Sequence, residues 1–489
     1  MTCDKLAEFE PIFYPKSVAV IGASANEFKF GGRYLKTLLD FGFEGKVYPV
    51  NPRETEVAGL KAYPTVRDVP ESVDFAMITV PAKIVPSVLE DCLAKGVKAV
   101  EIFTAGFSET GEEGRILEEE LMKITKRGIR AIGPNCFGVY CPASRLTLLP
   151  GADFSTESGP VAFISQSGGH AQEIAREASG SGIRFSKVIS YGNACDLNEV
   201  DFLEYLAHDP ETRIIAAYME GPKNGQRFMK LVQQVSKTKP VLIWKVGLTR
   251  EGAQAVSSHT ASLGGEEATW GAFFKQTGAV RVESKEELID TIMALLHLPP
   301  STGRRVAVIG GGGGMSVTAA DACSHVGLSV PSFPPEIVEQ LRQVLPPAGT
   351  GIRNPVDVGA PVIPPQMFQK VMEIAASVEN IDTIIATQAL HLFVSSKIKG
   401  LGGTGSMLPK DSLDIPVTIN RKSGKPVIMV LPLGSTGSDS LGVEQVRREF
   451  REFYISHGIP VYPTMERAAR AVAHVVKYYE AARALSSSA

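Results

Sequence analysis

Residues 16–24 read KSVAVIGAS, residues 159–169 read GPVAFISQSGG and residues 304–314 read RRVAVIGGGGG. Each is a short, continuously apolar run rich in Val and Ile that ends in a turn of small residues, and a helical pattern follows each one. A strand apolar on both faces has to be covered on both. Strands that alternate with helices are joined by crossovers, so the pattern predicts α/β units with parallel sheets between helical layers. The openings recur about every 145 residues, close to the ordinary size of a domain. Three domains are expected, over residues 1–148, 149–300 and 301–489.

Working outward, the length of 489 residues and a hydrophobic share of 44% supply ample core for such an architecture. A formal net charge of −3, with Lys and Arg scattered, gives no field that would recruit nucleic acid or an anionic membrane. The six cysteines, Cys3, Cys92, Cys136, Cys141, Cys195 and Cys323, show neither a CxxC pair nor zinc spacing, so no metal site is expected and the thiols read as buried in a reducing compartment. The start, MTCDKLAEFEPIFYPKSV, lacks a signal-peptide pattern, and no apolar run is long enough to span a bilayer. A cytoplasmic protein is expected.

In open parallel sheets ligands bind beyond the carboxyl ends of the strands. In the first domain those ends carry Gly22, Ala23 and Ser24, then Asn51 and Pro52, then Val80 and Pro81, then Thr104 to Gly106, and last Gly133 to Cys136. Small residues and prolines there let a nucleotide-type ligand lie against the backbone. The first loop, GASANEFKFGG, is not a clean GxGxxG, and Asn51 stands where a dinucleotide site wants an acid, which argues against NAD.

The second domain has a strand-to-helix turn at Ser165, Gln166, Ser167, Gly168 and Gly169, where exposed amides and two hydroxyls make an anion site. A strand over 214–219 ends at Glu220, on the same rim. After a buried strand over 241–246 comes a Gly- and Ser-containing loop with His259 between Ser258 and Thr260, then Leu263, Gly264 and Gly265. An imidazole among small residues is open to approach. The third domain begins with five glycines, Gly310 to Gly314, and residues 395–412 read as a mobile surface loop.

Taken in order, FYPKSVAVIGAS, ISQSGG, the Glu220-Gly221 pair and SSHTASLGG resemble the nucleoside-diphosphate-forming acyl-CoA synthetases, the succinyl-CoA synthetase superfamily, and in particular the α subunit of ADP-forming acetate–CoA ligases. The resemblance spans nearly the whole chain. It implies a Rossmann-like CoA-binding domain followed by two flavodoxin-like ligase domains. It also implies interconversion of acyl-CoA, phosphate and ADP with carboxylic acid, CoA and ATP through an acyl phosphate and a phosphohistidine.

By the same resemblance His259 takes the phosphoryl group and Glu220 orients its ring, as an attacking imidazole requires. Ser165 to Gly169 hold phosphate, with Gly312, Gly313 and Gly314 beside the phosphohistidine. Gly22, Ala23, Ser24, Asn51, Pro52, Val80 and Pro81 bind coenzyme A, and Asn135 and Cys136 lie near the thioester. The family carries Asn-Ala-Gly-Gly where this chain has its run of glycines. Nothing in the chain reads as an ATP-grasp domain, so ATP or ADP and Mg2+ are expected on a separate ATP-grasp β subunit, in a heterotetramer. Two other readings are a CoA- or nucleotide-sensing protein that has lost turnover and an NAD-dependent oxidoreductase, the latter disfavoured by Asn51.

Overall fold

The computed structural model describes residues 2–148, 154–259, 266–359, 364–390, 412–434, 437 and 440–487, with backbone only for 2–4 and 257–259. The chain divides into two compact units, Met1–Leu288 with Ala482–Ala489, and Ile289–Ala481.

The first unit opens with α1 (Thr2–Phe13) and β1 (Ser17–Ile21). It continues with α2 (Phe30–Asp40), β2 (Lys46–Val50), β3 (Phe75–Ile78), α3 (Val85–Lys95), β4 (Ala99–Ile102), α4 (Glu112–Thr125) and β5 (Arg130–Ile132). These strands form one parallel sheet in the order β2-β1-β3-β4-β5, whose switch point lies between β1 and β3. Every residue of β1, β3 and β4 is buried, Glu101 of β4 included, as strands covered by helices on both faces must be.

A second sheet in the same unit is built from β6 (Gly138–Tyr140), β7 (Val161–Ser165), β8 (Phe185–Ser190), β9 (Ile214–Met219), β10 (Val241–Lys245) and β11 (Val280–Val282). The intervening helices are α5 (Gly168–Gly180), α6 (Glu199–His208), α7 (Gly225–Val235), α8 (Arg250–His259) and α9 (Glu267–Thr277). The order is β11-β10-β9-β7-β8-β6, parallel except for the edge strand β6, which runs antiparallel to β8. Asn198 and Asn224 cap α6 and α7 by accepting the N–H groups of Val200 and Arg227.

One apolar core runs through both sheets, from Val18, Tyr34 and Ile132 to Ile164, Ile215 and Phe273. The first helix explains part of this continuity. α1 precedes the first sheet in the chain but packs on α6 of the second, with Phe9 and Phe13 stacked on Tyr205 at 5.0 and 4.7 Å. Beneath them the fully buried Lys187 pairs with Asp209 at 2.9 Å and Glu211 at 3.0 Å, its ammonium 5.7 Å from the Phe13 ring centre.

After α10 (Lys285–His297), the second unit carries β12 (Val306–Gly310), α11 (Gly313–His325), α12 (Pro335–Val344), β13 (Val356–Asp357), α13 (Pro365–Ser377), β14 (Thr383–Thr387), α14 (Asp414–Ser423), β15 (Val427–Val430), α15 (Leu441–Ser456), β16 (Val461–Tyr462) and α16 (Met465–Ser487). Its sheet, β13-β12-β14-β15-β16, is parallel and repeats the plan of the first. A separate core gathers Ile309, Phe368, Ile384, Met429 and Tyr454.

One element differs from the sequence reading. The stretch before His259 is helical, and His259 is the last residue of α8. Thr249 starts this helix: its Oγ1 accepts the Gly252 N–H at 3.0 Å and its carbonyl the Ala253 N–H at 2.8 Å. Ala253, Gln254 and Ala255 then favour helix strongly enough to carry the serines with them. The expected loop over 395–412 lies outside the described residues apart from Ser412, and Thr260 to Gly265 lie outside them entirely. No helix among the described residues is long and apolar enough to cross a membrane.

Candidate active site

The carboxyl rim of the first sheet brings the expected residues of β1 and β2 together. Gly22 has a φ of +93°, and a Cβ there would meet Thr79 Oγ1 at 2.6 Å, so only glycine fits. The Asn51 side chain ties the neighbouring ends, donating to the Ala23 carbonyl at 2.7 Å and accepting the Arg53 and Glu54 N–H groups at 2.8 and 3.3 Å. Ser24 is buried and donates to Glu54 at 3.0 Å. Asn51 and Ser24 therefore shape the ends of β1 and β2, and Pro52 and Pro81 are exposed on the same rim. Val80, between β3 and Pro81, accepts the Thr104 hydroxyl at 2.6 Å.

Asn135 and Cys136 part company. Asn135, with φ +59°, points its amide to Asn193 at 3.4 Å, where the two sheets of the unit meet. Cys136 turns inward: it is 1% exposed, and its thiol donates to the Ile102 carbonyl at 3.4 Å. Burial, with Glu101 beside it, pushes that thiol well above the ordinary range. Its side chain belongs to the core.

The second sheet's rim is a braced assembly. Ser167 caps α5 by accepting the His170 N–H at 3.3 Å, and Ser165 Oγ bridges the Ser167 carbonyl at 2.7 Å and the Ser167 N–H at 3.1 Å. Gly168 and Gly169 then stand in the first helical turn, where the helix cannot satisfy its own amides and its dipole is positive. Gln166, 4% exposed, reaches across to the end of β9. Its Oε1 accepts the N–H groups of both Glu220 and Gly221, and its Nε2 donates to the Gly221 carbonyl at 3.2 Å. Glu220 is 3% exposed, with the Tyr218 hydroxyl 3.5 Å from Oε1. The next strand over, β10, leads through Gly247 and Thr249 into α8 and so to His259.

The glycine turn of the second unit is organised differently. Gly312 precedes α11 with φ +99°, and its N–H donates to Asp357 at 2.8 Å. The same carboxylate accepts the Gly359 N–H at 2.9 Å, while Gly313 and Gly314 are exposed in the first turn.

Two features escaped the sequence reading. Phe30, Phe103 and Phe137 form a row of rings with centres 4.6 and 5.5 Å apart, leading from the start of α2 to Gly168, whose Cβ, were there one, would come within 2.8 Å of the Phe137 ring. Phe30 is 53% exposed and the other two are half-buried, so the row offers an apolar face between the two rims. The other feature is Lys245, at the end of β10, whose ammonium donates to the carbonyls of Glu220, at 2.8 Å, and Val246. Lysine in a strand gives no hint that it faces backbone.

Comparison with known proteins gives these rims a context. Residues 16–142 match the CoA binding domain, 158–295 the succinyl-CoA ligase like flavodoxin domain and 306–399 the ligase-CoA domain. The matched order defines the class as succinyl-CoA ligase-like acyl-CoA synthetases. The chain is 36% identical over 480 residues to the α subunit of acetate–CoA ligase [ADP-forming] I of Pyrococcus furiosus, covering 96% of this chain and 97% of that one. It is 39% identical over 426 residues to acetate–CoA ligase [ADP-forming] I of Archaeoglobus fulgidus, covering 85% of this chain but 61% of that longer protein. A solved structure titled dinucleotide forming acetyl-coenzyme A synthetase 1 of Ca. Korarchaeum cryptofilum, in complex with phosphate and ADP, superposes with a TM-score of 0.82 at 32% identity over 98% of both chains. The chain belongs to the family of ADP-forming acetate–CoA ligases, with their α subunits as full-length counterparts.

Proposed function

We propose that the chain is the α subunit of an ADP-forming acid–CoA ligase that works through phospho-His259. The observation that carries this reading is the joining, by Gln166, of the α5 amide turn to Glu220 on the rim from which β10 leads to the His259 helix. Phosphate oxygen attacks the thioester carbon, forming a C–O bond as the C–S bond breaks, and the CoA thiolate leaves and takes up a proton. An imidazole nitrogen of His259 then attacks phosphorus, and the N–P bond forms as the P–O bond to the departing carboxylate breaks.

In this scheme Ser165, Gln166, Ser167, Gly168 and Gly169 form the phosphate turn, where Gly168 and Gly169 offer amides to the growing charge, and Glu220 orients the imidazole. Gly22, Ala23, Ser24, Asn51, Pro52, Val80 and Pro81 form the CoA rim, Asn135 flanks the thioester, and the Phe30–Phe103–Phe137 row guides the pantetheine arm. Gly312, Gly313 and Gly314 are assigned as a further phosphate-binding turn. Holding the reactants at fixed separation removes much of the entropic barrier.

Phosphoryl transfer to ADP is assigned to a cytoplasmic ATP-grasp β subunit that holds the nucleotide and Mg2+, in a heterotetramer. Among the described residues no group of three or more His, Cys, Asp or Glu could hold a metal ion. The test is incubation with acetyl-CoA, or a longer acyl-CoA, and radiolabelled phosphate. Acid-labile, base-stable label that disappears in His259→Ala is expected, and base-labile label retained in that variant overturns the assignment.

A further inference from the structure

The second sheet holds two buried lysines that solve the same problem in different ways. Lys187 is compensated by Asp209 and Glu211, as a buried ammonium ordinarily must be. Lys245 is 6% exposed, yet among the described residues no carboxylate lies within ion-pair distance of its ammonium. Its partners are the carbonyls of Glu220 and Val246, and the Trp270 ring of α9, whose centre is 5.1 Å away. Carbonyls and an indole face do not neutralise a charge. A lysine kept here against its desolvation cost calls for a reason that a methionine of the same length would not meet.

The reason lies in what it grips. Lys245 pairs in register with Met219, the residue before Glu220, and reaches the Glu220 carbonyl at 2.8 Å. Tyr218, two residues from Glu220 along the strand, brings its hydroxyl to the Glu220 carboxyl. Gln166 holds the N–H groups on either side of that same carbonyl. The backbone that carries the Glu220 side chain is thus clamped at its nitrogen by a neutral amide and at its carbonyl oxygen by a charged ammonium. A charge-assisted hydrogen bond is about twice as strong as a neutral one, so the lysine is the firmer half of the clamp. We propose that Lys245 is a positioning residue: as the ammonium, it fixes the backbone of Glu220 so that the carboxyl meets the imidazole of His259 in one geometry. The assignment rests on the phosphohistidine reading above.

This clamp titrates. Burial pushes the Lys245 ammonium down to about 8, against the upward pull of Glu220. The groups facing it are Glu220 and, behind it, the Tyr218 hydroxyl, both from the end of β9, and the uncharged Trp270 from α9. As pH rises through about 8 the ammonium becomes an amine, and its bonds to the two carbonyls lose their charge assistance.

The experiment measures the initial rate of phosphohistidine formation from acyl-CoA and labelled phosphate between pH 6.5 and 9.5, with the partner subunit present. Wild type, Lys245→Met and Lys245→Arg are compared, with CoA affinity and thermal midpoint recorded for each. The wild-type rate should fall above pH of about 8. Lys245→Met should be slower by about 10- to 100-fold at neutral pH, with CoA affinity unchanged and that limb gone. Lys245→Arg should recover part of the rate and hold it to higher pH, since a guanidinium stays charged. A Lys245→Met enzyme with wild-type rate and profile overturns the proposal. So does an alkaline limb that survives in both variants, even if Lys245→Met is slow or unstable. Absence of label in the wild type itself overturns the phosphohistidine reading and this assignment with it, a result distinct from either of those.

Discussion

The turn after β7 and the turn after β12 are two versions of one backbone device, a buried strand delivered through small residues into a helix, and their surroundings differ. After β7, Ser165 and Ser167 close on each other and Gln166 reaches sideways to bind the neighbouring strand end, so the side chains brace the turn from which Gly168 and Gly169 open the helix. After β12 there is no capping side chain at Gly312, and the carboxylate of Asp357 occupies its amide. A carboxylate seated on an amide is what an incoming phosphoryl group would have to share or repel. Glycine content is higher in the second turn, but readiness for an anion is greater in the first.

The comparison breaks at its strongest point if the first turn does not serve His259. His259→Asn should abolish phosphoprotein formation, a loss of at least about 10⁴-fold, while CoA binding measured by calorimetry persists. Gln166→Leu is next. It strands the buried Glu220 and Gly221 amides and should cut the labelling rate by about 100-fold and lower the thermal midpoint by several degrees; a normal rate would show that the brace is dispensable.

Gly168→Ala sets a methyl against the Phe137 ring at 2.8 Å. It should raise the KM for acyl-CoA by about tenfold and lower the thermal midpoint by a few degrees, because the Phe137 ring has to shift to admit the added group. The smallest effect belongs to the second turn. Asp357→Asn keeps an acceptor for Gly312 and removes the charge, so the KM for phosphate should fall by about two- to threefold. An unchanged KM would take that turn off the phosphate's path.

The opening strand of each of the three units was readable because a parallel strand covered on both faces is mostly apolar, as residues 16–24, 159–169 and 304–314 are. β8 was not, because Ser186, the buried Lys187 and Ser190 break its apolar run, and neither were the short strands β6, β11, β13 and β16. α8 was not readable, because serine and glycine composition signals a loop and the decisive contact, Thr249 Oγ1 with the Gly252 N–H, is a local capping bond. Cys136 sits in a turn with its motif neighbours, and only the left-handed backbone at Asn135 and the packing beyond it send the thiol inward. The Phe30–Phe103–Phe137 row joins residues that meet only once strand order is known. Lys245 was hidden for another reason: its partners are main-chain carbonyls, which every residue has.

The packing of α1 has a practical side. By position this helix heads the CoA-binding segment, but its aromatic face and the tyrosine that follows it, Tyr14, are committed to α6, Lys187 and Glu211. Anyone excising residues 1–148 as a free-standing module would carry off a sticky ribbon of Phe9 and Phe13 and leave Tyr205 and the buried Lys187 pair uncovered. Scissors guided by the reading frame would miss the seam, because the ribbon at one end and the edge strand β6 at the other both belong to the half left behind.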